Sequence, residues 1–170
     1  MNMNSLNLRL KYSYVRNLIK LSWSDIKFLI DEEYFDETAA IEHAYNVLEY
    51  EENSFNNDSI ISLASLLKKQ TIHPFIDILE QTDAENNKLL IREKSLYIIL
   101  SWLYLNRNNY EDPLEMIEIV YADFEYPKDD MKELVRYLPA EDPENVGVEK
   151  IYANWVAYLK KKREKFSSTL

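Results

Sequence analysis

The stretch that decides the fold is Leu89–Leu105, which reads LLIREKSLYIILSWLYL. Its apolar side chains fall at helical spacing into two stripes, one of Leu89, Leu96, Leu100 and Leu103 and one of Ile91, Ile98, Trp102 and Leu105. A helix that is apolar most of the way round is typical of a buried position. We therefore predict a central apolar helix near 86–107 with shorter helices packed around it.

The rest of the chain predicts helices as well. One glycine, Gly147, and five prolines in 170 residues disfavour a β-rich fold, because strand turns usually need several glycines. Periodicity predicts nine helices, near 8–20, 24–34, 37–50, 58–69, 74–81, 86–107, 113–122, 128–136 and 147–165. We expect an all-α fold and a single domain over 1–170, with its core at about 8–165, and short helix pairs in series could stack like a small solenoid.

Local signals predict where several helices begin. The segment Ser22–Asp25 has the pattern of a capping box, in which each end satisfies a backbone N–H of the other. Pro74, Pro113 and Pro127 stand where a first helical residue is expected, the position that proline prefers.

Residue usage argues against the common kinds of catalytic site. The chain has no cysteine, so it can form neither a disulfide nor a thiolate metal site. A single glycine argues against loops that cradle phosphate. Two histidines are present, and no acidic residue stands three or four positions from His43, so we interpret His43 and His73 as structural. We expect no cofactor, no metal and no enzymatic activity.

The same sequence argues against membrane and nucleic-acid partners. The N-terminus lacks the pattern of a signal peptide, and the apolar window Leu96–Leu105 has about half of the 20 residues that span a bilayer. A net charge of −10 disfavours binding to phosphate backbones. We therefore expect a cytoplasmic protein whose partner is a basic protein.

One segment is distinctly acidic. Glu111–Met131 holds eight carboxylates against one lysine, and Tyr121–Pro127 alternates aromatic rings with acids. This pattern fits a solvated face over a buried stripe, and it also fits an anionic docking surface, because rings supply contact area and carboxylates select cations. The residues predicted to face a partner are Glu115, Glu118, Asp123, Glu125 and Tyr126.

Five blocks carry a resemblance to a known family. They are Leu21–Ile26 (LSWSDI), Trp102–Asp112 (WLYLNRNNYED), Tyr121–Pro127 (YADFEYP), Val135–Pro139 (VRYLP) and Tyr152–Leu159 (YANWVAYL). In this order they resemble the bacterial family known as domain of unknown function 2247. Its members are similar in character to the small acidic immunity partners of bacterial polymorphic toxins, so the resemblance implies such a role without supplying catalytic residues.

Three hypotheses about function remain open. The first is an immunity-type protein that neutralises a basic toxin by stoichiometric occlusion, since an acidic surface can imitate the phosphates of a toxin's substrate. The second is a helical scaffold that recognises a peptide or a helix. The third is a carboxylate-based hydrolase or a divalent-metal enzyme, for which the candidate residues are Asp25, Asp123, Arg107 and Arg136.

Overall fold

The computed structural model describes residues 3–67, 70–84, 86–136 and 147–167. Within these ranges the chain forms eight α-helices, three short 3₁₀ helices and no strand, which confirms the all-α prediction. The last three residues of the Val135–Pro139 block lie outside the described ranges.

The α-helices are α1 Tyr12–Leu18, α2 Trp23–Asp31, α3 Thr38–Tyr50, α4 Asp58–Ala64, α5 His73–Thr82, α6 Lys88–Leu105, α7 Pro113–Asp123 and α8 Val148–Ser167. The 3₁₀ helices are Ser54–Asn56, Arg107–Asn109 and Asp130–Leu134. The α-helix expected near 128–136 was therefore wrong in type, and Pro127 does not begin it. The side chain of Asp129 instead accepts a hydrogen bond from Met131 N at 3.0 Å and caps the short 3₁₀ helix.

One compact unit spans residues 7–95. In it α3 packs against α1, α2 and α4, while α5 packs against α2 and α4. The predicted capping box opens α2, because Ser22 N donates to Asp25 Oδ2 at 2.9 Å and Asp25 N donates to Ser22 Oγ at 3.2 Å. Two orphan donors of the first helical turn are thus satisfied where the chain enters α2.

The other compact unit comprises residues 1–6 and 96–170. There α8 packs against the 3₁₀ helix Asp130–Leu134, which also contacts α7. Trp155 is fully buried, and its ring meets the ring of Tyr104 edge-on at 5.1 Å. The single-domain assignment stays a prediction.

The helix α6 is buried along its middle and exposed at both ends. Ile98, Leu100 and Leu103 are buried as the two stripes predicted, but Leu89 and Leu105 are exposed. The predicted stripes therefore extend beyond the buried part of α6 at each end. The central position of α6 and the solenoid-like stacking of helix pairs stay predictions. In the ranges given above, no helix is long and apolar enough to cross a membrane.

Candidate functional site

A pocket of about 220 Å³ lies in the unit that spans residues 7–95. The first turn of α2 contributes Trp23, and α3 contributes His43 and Val47, which lie four residues apart on the same helix face. We call this cavity the His43 pocket; it is lined by Lys20, Leu21, Ser22, Trp23, His43, Val47, Glu51, Asp83 and Ala84.

His43 is the chemically distinctive group of the pocket. Its side chain is 6% exposed, and its Nδ1 lies 2.8 Å from the hydroxyl of Tyr12. The ring of Trp23 packs edge-on against the imidazole at 4.6 Å. Burial lowers the pKa of His43 from 6.5 to about 4, although nearby Asp83 acts in the opposite direction. At neutral pH the imidazole is therefore uncharged.

The hydrogen bond from Tyr12 fixes which ring nitrogen of His43 carries the proton. Burial raises the pKa of Tyr12 to about 12, so its hydroxyl keeps its hydrogen. Tyr12 has no second hydrogen-bond partner among the described residues, and a buried O–H without an acceptor is costly. The hydroxyl therefore donates to Nδ1, and the single imidazole proton lies on Nε2. Within the same ranges Nε2 has no hydrogen-bond partner.

Three charged side chains line the pocket together with the imidazole. Lys20 and Glu51 line the pocket, are exposed, and form no ion pair within the described ranges. Asp83 lines it as well, and its Oδ2 accepts a hydrogen bond from Ser24 N at 2.9 Å.

A buried ion pair joins α2 to the first half of α6. Lys94 Nζ donates to Asp25 Oδ2 at 2.9 Å, and both side chains are almost fully buried. Burial raises the pKa of Asp25 against the opposing attraction of Lys94. Asp25 Oδ1 and Ser24 Oγ have no hydrogen-bond partner in the described part of the chain. Since Asp25 also completes the capping box, its position is fixed by two structural contacts.

The acidic stretch that the sequence singled out is only partly available to a partner. Glu115 and Glu125 are exposed. Asp123 instead accepts a hydrogen bond from Ser5 N at 2.8 Å, and Glu118 is ion-paired with Arg136. The helix α7 therefore covers a buried apolar stripe, and Glu118 and Asp123 bond within the protein. The docking surface stays a prediction.

Arg136 lies between two of those carboxylates. Its Nε donates to Glu118 Oε1 and its Nη1 donates to Asp112 Oδ2, each at 2.7 Å. These bonds hold the pKa of Arg136 above its usual range, and the guanidinium in turn lowers the pKa of Asp112. Asp112 also caps α7 by accepting from Leu114 N at 3.1 Å. The cluster connects α7 to Arg136, two residues after the last 3₁₀ helix.

The backbone after α7 holds one aromatic ring on the surface. Glu125 and Tyr126 both adopt left-handed backbone angles, with φ of 59° and 56°. Tyr126 N donates to Tyr121 O at 2.9 Å, and the two rings meet edge-on at 5.5 Å. Left-handed backbone is costly for residues other than glycine, so this turn is maintained by its surroundings. Tyr126 remains exposed, as a partner-facing ring requires.

A second group of exposed acidic and aromatic side chains, which the sequence did not single out, lies on α3 and in the residues that follow it up to the start of α4. Tyr45, Tyr50 and Phe55 are 60%, 65% and 69% exposed. Exposed carboxylates stand among them, and none forms an ion pair within the described ranges. We call this the α3 surface; it consists of Glu42, Tyr45, Glu49, Tyr50, Glu52, Phe55 and Asp58.

The residues proposed for a carboxylate enzyme take other roles. Asp25 is held by Lys94, and Arg136 is held by two acids. The guanidinium of Arg107 lies 4.2 Å from the ring of Tyr104 and donates to the carbonyl oxygen of the same residue. Among the residues that the structure describes, no three His, Asp or Glu side chains come together in a way that could hold a metal ion.

A comparison with protein families matches residues 12–163 to a family described as an uncharacterized protein conserved in bacteria, DUF2247. The chain belongs to the DUF2247 family. Neither a search of curated proteins nor a search of solved structures found a match. The DUF2247 match contains the whole α3 surface and every residue that lines the His43 pocket.

The DUF2247 blocks also explain what sequence reasoning missed. The block Leu21–Ile26 supplies Leu21, Ser22 and Trp23 to the pocket, but it was interpreted only as a helix start. His43 was interpreted as structural because no acidic residue stands three or four positions from it, and nothing in the sequence pairs it with Tyr12, which is 31 positions away. The one available signal was an apolar helix face interrupted by a histidine.

Proposed function

We propose that this protein is an acidic, cytoplasmic protein-binding module of the immunity type, which neutralises a basic bacterial toxin by stoichiometric occlusion. The observation that supports this function best is the α3 surface. Three well-exposed aromatic rings stand there among four carboxylates that form no ion pair within the described ranges.

The spacing on α3 places three of these groups side by side. Glu42, Tyr45 and Glu49 follow at three- and four-residue intervals, so they share one exposed helix face. Tyr50 ends the helix, and the guanidinium of Arg16 lies 5.9 Å from its ring. Tyrosine gives a large contact area at low cost in side-chain entropy, and carboxylates steer a basic partner during approach. This combination suits recognition of a cationic protein surface.

The α3 surface also has an energetic advantage over the acidic stretch around α7. A partner that bound Glu118 or Asp123 would first have to break their bonds to Arg136 and Ser5. Breaking a charged hydrogen bond costs about 1.5–3 kcal/mol before any new contact forms. The carboxylates of the α3 surface carry no such cost, while Glu115, Glu125 and Tyr126 form the alternative partner-facing set.

The test begins with capture of the partner on tagged protein from its own bacterium at low salt, followed by titration of the purified pair. Two charge-reversal variants are compared, one with Glu42, Glu49 and Glu52 changed to Lys and one with Glu115 and Glu125 changed to Lys. We expect the first to weaken binding by about 100-fold and the second by less than about threefold. Co-expression should restore growth to cells that make the captured protein.

Two results would count against the proposal. If neither variant changed the affinity, an acidic surface would not be the binding element. If the captured protein were acidic, or did not impair growth when expressed alone, the immunity role would be wrong even though a complex forms. A loss confined to the second variant would instead assign the interface to Glu115, Glu125 and Tyr126.

A further inference from the structure

We propose that the α3 surface recognises arginine side chains of its basic partner in preference to lysine side chains. This preference rests on the protein-binding function proposed above, since it names the chemical group that the surface contacts. Two features of the surface support it. Rings and carboxylates are neighbours on α3, and Arg16 already lies against one of the rings.

Tyr45 stands between two carboxylates on one face of α3. Glu42 precedes it by three residues and Glu49 follows it by four, the two spacings at which side chains of a helix are neighbours. The Tyr45 side chain is 60% exposed, and neither carboxylate forms an ion pair within the described ranges. A cation that approaches this face therefore meets an aromatic ring and a carboxylate together.

A guanidinium group suits such a face better than an ammonium group does. Its plane stacks on an aromatic ring, while its forked N–H groups match the two oxygens of a carboxylate. An ammonium group is a compact and strongly hydrated point charge with no plane to stack. Carboxylates alone would accept either cation, so the rings are what favours arginine over lysine.

The protein makes a contact of this kind at the edge of the same surface. The guanidinium carbon of Arg16 lies 5.9 Å from the centroid of the Tyr50 ring, within the range of cation–π attraction. Both side chains are exposed, so the contact forms in the presence of solvent. Tyr45 and Phe55 have no cation over their rings in the part of the chain that the structure describes. These two rings are therefore available to arginines of a partner.

The test compares two synthetic peptides of equal length and charge, one in which arginine alternates with glycine and one in which lysine alternates with glycine. The binding of each fluorescently labelled peptide to the full-length protein is measured by anisotropy at low salt. We expect the arginine peptide to bind about threefold more tightly or better, the factor that one exposed cation–π contact supplies.

Variants at exposed positions separate stacking from charge. Tyr45→Leu keeps an apolar side chain but removes the ring, so it should lower the preference for the arginine peptide about twofold or more. Glu42→Gln combined with Glu49→Gln should weaken the binding of both peptides about threefold or more. The matched control Tyr126→Leu changes an exposed ring outside the α3 surface and should leave the preference unchanged.

Three outcomes would overturn the preference for arginine. The first is equal affinity of the wild type for the two peptides, and the second is no binding of either peptide at about 1 mM. The third is a preference that Tyr126→Leu removes and Tyr45→Leu does not, because recognition would then lie outside the α3 surface.

These outcomes are distinct from failure of the proposed function. If the two peptides bound equally while the captured toxin was still neutralised, the immunity role would stand and only the preference for arginine would be wrong. If co-expression did not restore growth while the arginine peptide bound more tightly, the toxin role would be wrong and the preference would stand.

Discussion

Replacing His43 by Asn should remove the part of the pH dependence of folding stability that the buried imidazole causes. The imidazole is buried, and its pKa in the folded protein is about 4, against an ordinary value of 6.5. Asn is the matched replacement, because its side-chain oxygen is bonded to Cγ as Nδ1 is and can accept the hydrogen bond from Tyr12.

The sign of the effect follows from proton uptake. Between pH 6.5 and about 4 the unfolded chain protonates His43 while the folded chain does not. Because the unfolded state then binds more protons, the free energy of unfolding falls as the pH falls. Each pKa unit corresponds to about 1.4 kcal/mol, so the stability contributed by neutral His43 is about 3 kcal/mol, present above pH 6.5 and lost by about pH 4.

The assay is urea denaturation of the wild type and His43→Asn at several pH values from about 8 to about 4.5. The quantity compared is the free energy of unfolding of each protein as a function of pH. Carboxylates titrate in both proteins and cancel in the difference. We expect the stability of the wild type relative to the variant to fall by about 2–3 kcal/mol over this range. The control His73→Asn alters an exposed histidine that lies 3.6 Å from Glu37. The stability difference between the wild type and this control should change by less than about 1 kcal/mol over the same pH range.

A difference between the wild type and His43→Asn that stayed constant within about 0.5 kcal/mol across the same range would refute the reasoning. It would mean that the imidazole takes up a proton in the folded state as readily as in water. The lowered pKa of the buried imidazole would then be wrong.

Other consequences can be checked separately. Lys94→Met leaves Asp25 buried without its cation and should cost about 3–5 kcal/mol in urea unfolding, whereas Lys88→Met, at an exposed lysine on the same helix, should cost under about 0.5 kcal/mol. Arg136→Lys cannot reproduce the forked contact with two carboxylates and should cost about 1 kcal/mol by the same measurement. Long-range ¹H–¹⁵N correlation spectra at neutral pH should show His43 as the tautomer with its proton on Nε2.

The parts of the fold that local chemistry decides could be predicted from the sequence. The capping box at Ser22 and Asp25 forms because its two partners are three residues apart and need no distant group. The buried stripe of α7, with Leu114 and Ile117, follows from helical periodicity alone. The prediction of an α-helix near 128–136 was wrong because only the five residues Asp130–Leu134 are helical there. Five residues are too few for hydrophobic periodicity to distinguish a 3₁₀ helix from an α-helix.

The candidate site could not be predicted because its contacts are long-range. Tyr12 and His43 are 31 positions apart, and Ser24 and Asp83 are 59 apart. No pattern in the sequence marks which of thirty acidic residues will find such a partner. Acidic density therefore drew attention to the stretch around α7, where Asp123 is already engaged.

On α3, the burial of the side chains decides which helix face lines the pocket and which is exposed. Its period places His43 and Val47 on the face that lines the pocket, and it places Glu42 and Tyr45 on the face exposed to solvent. Tyrosine is as common in half-buried helix crossings as on interfaces, so the sequence could not say which face Tyr45 would join. Because Glu42 and Tyr45 do not line the pocket, variants at these two positions test protein binding without changing a side chain of the pocket.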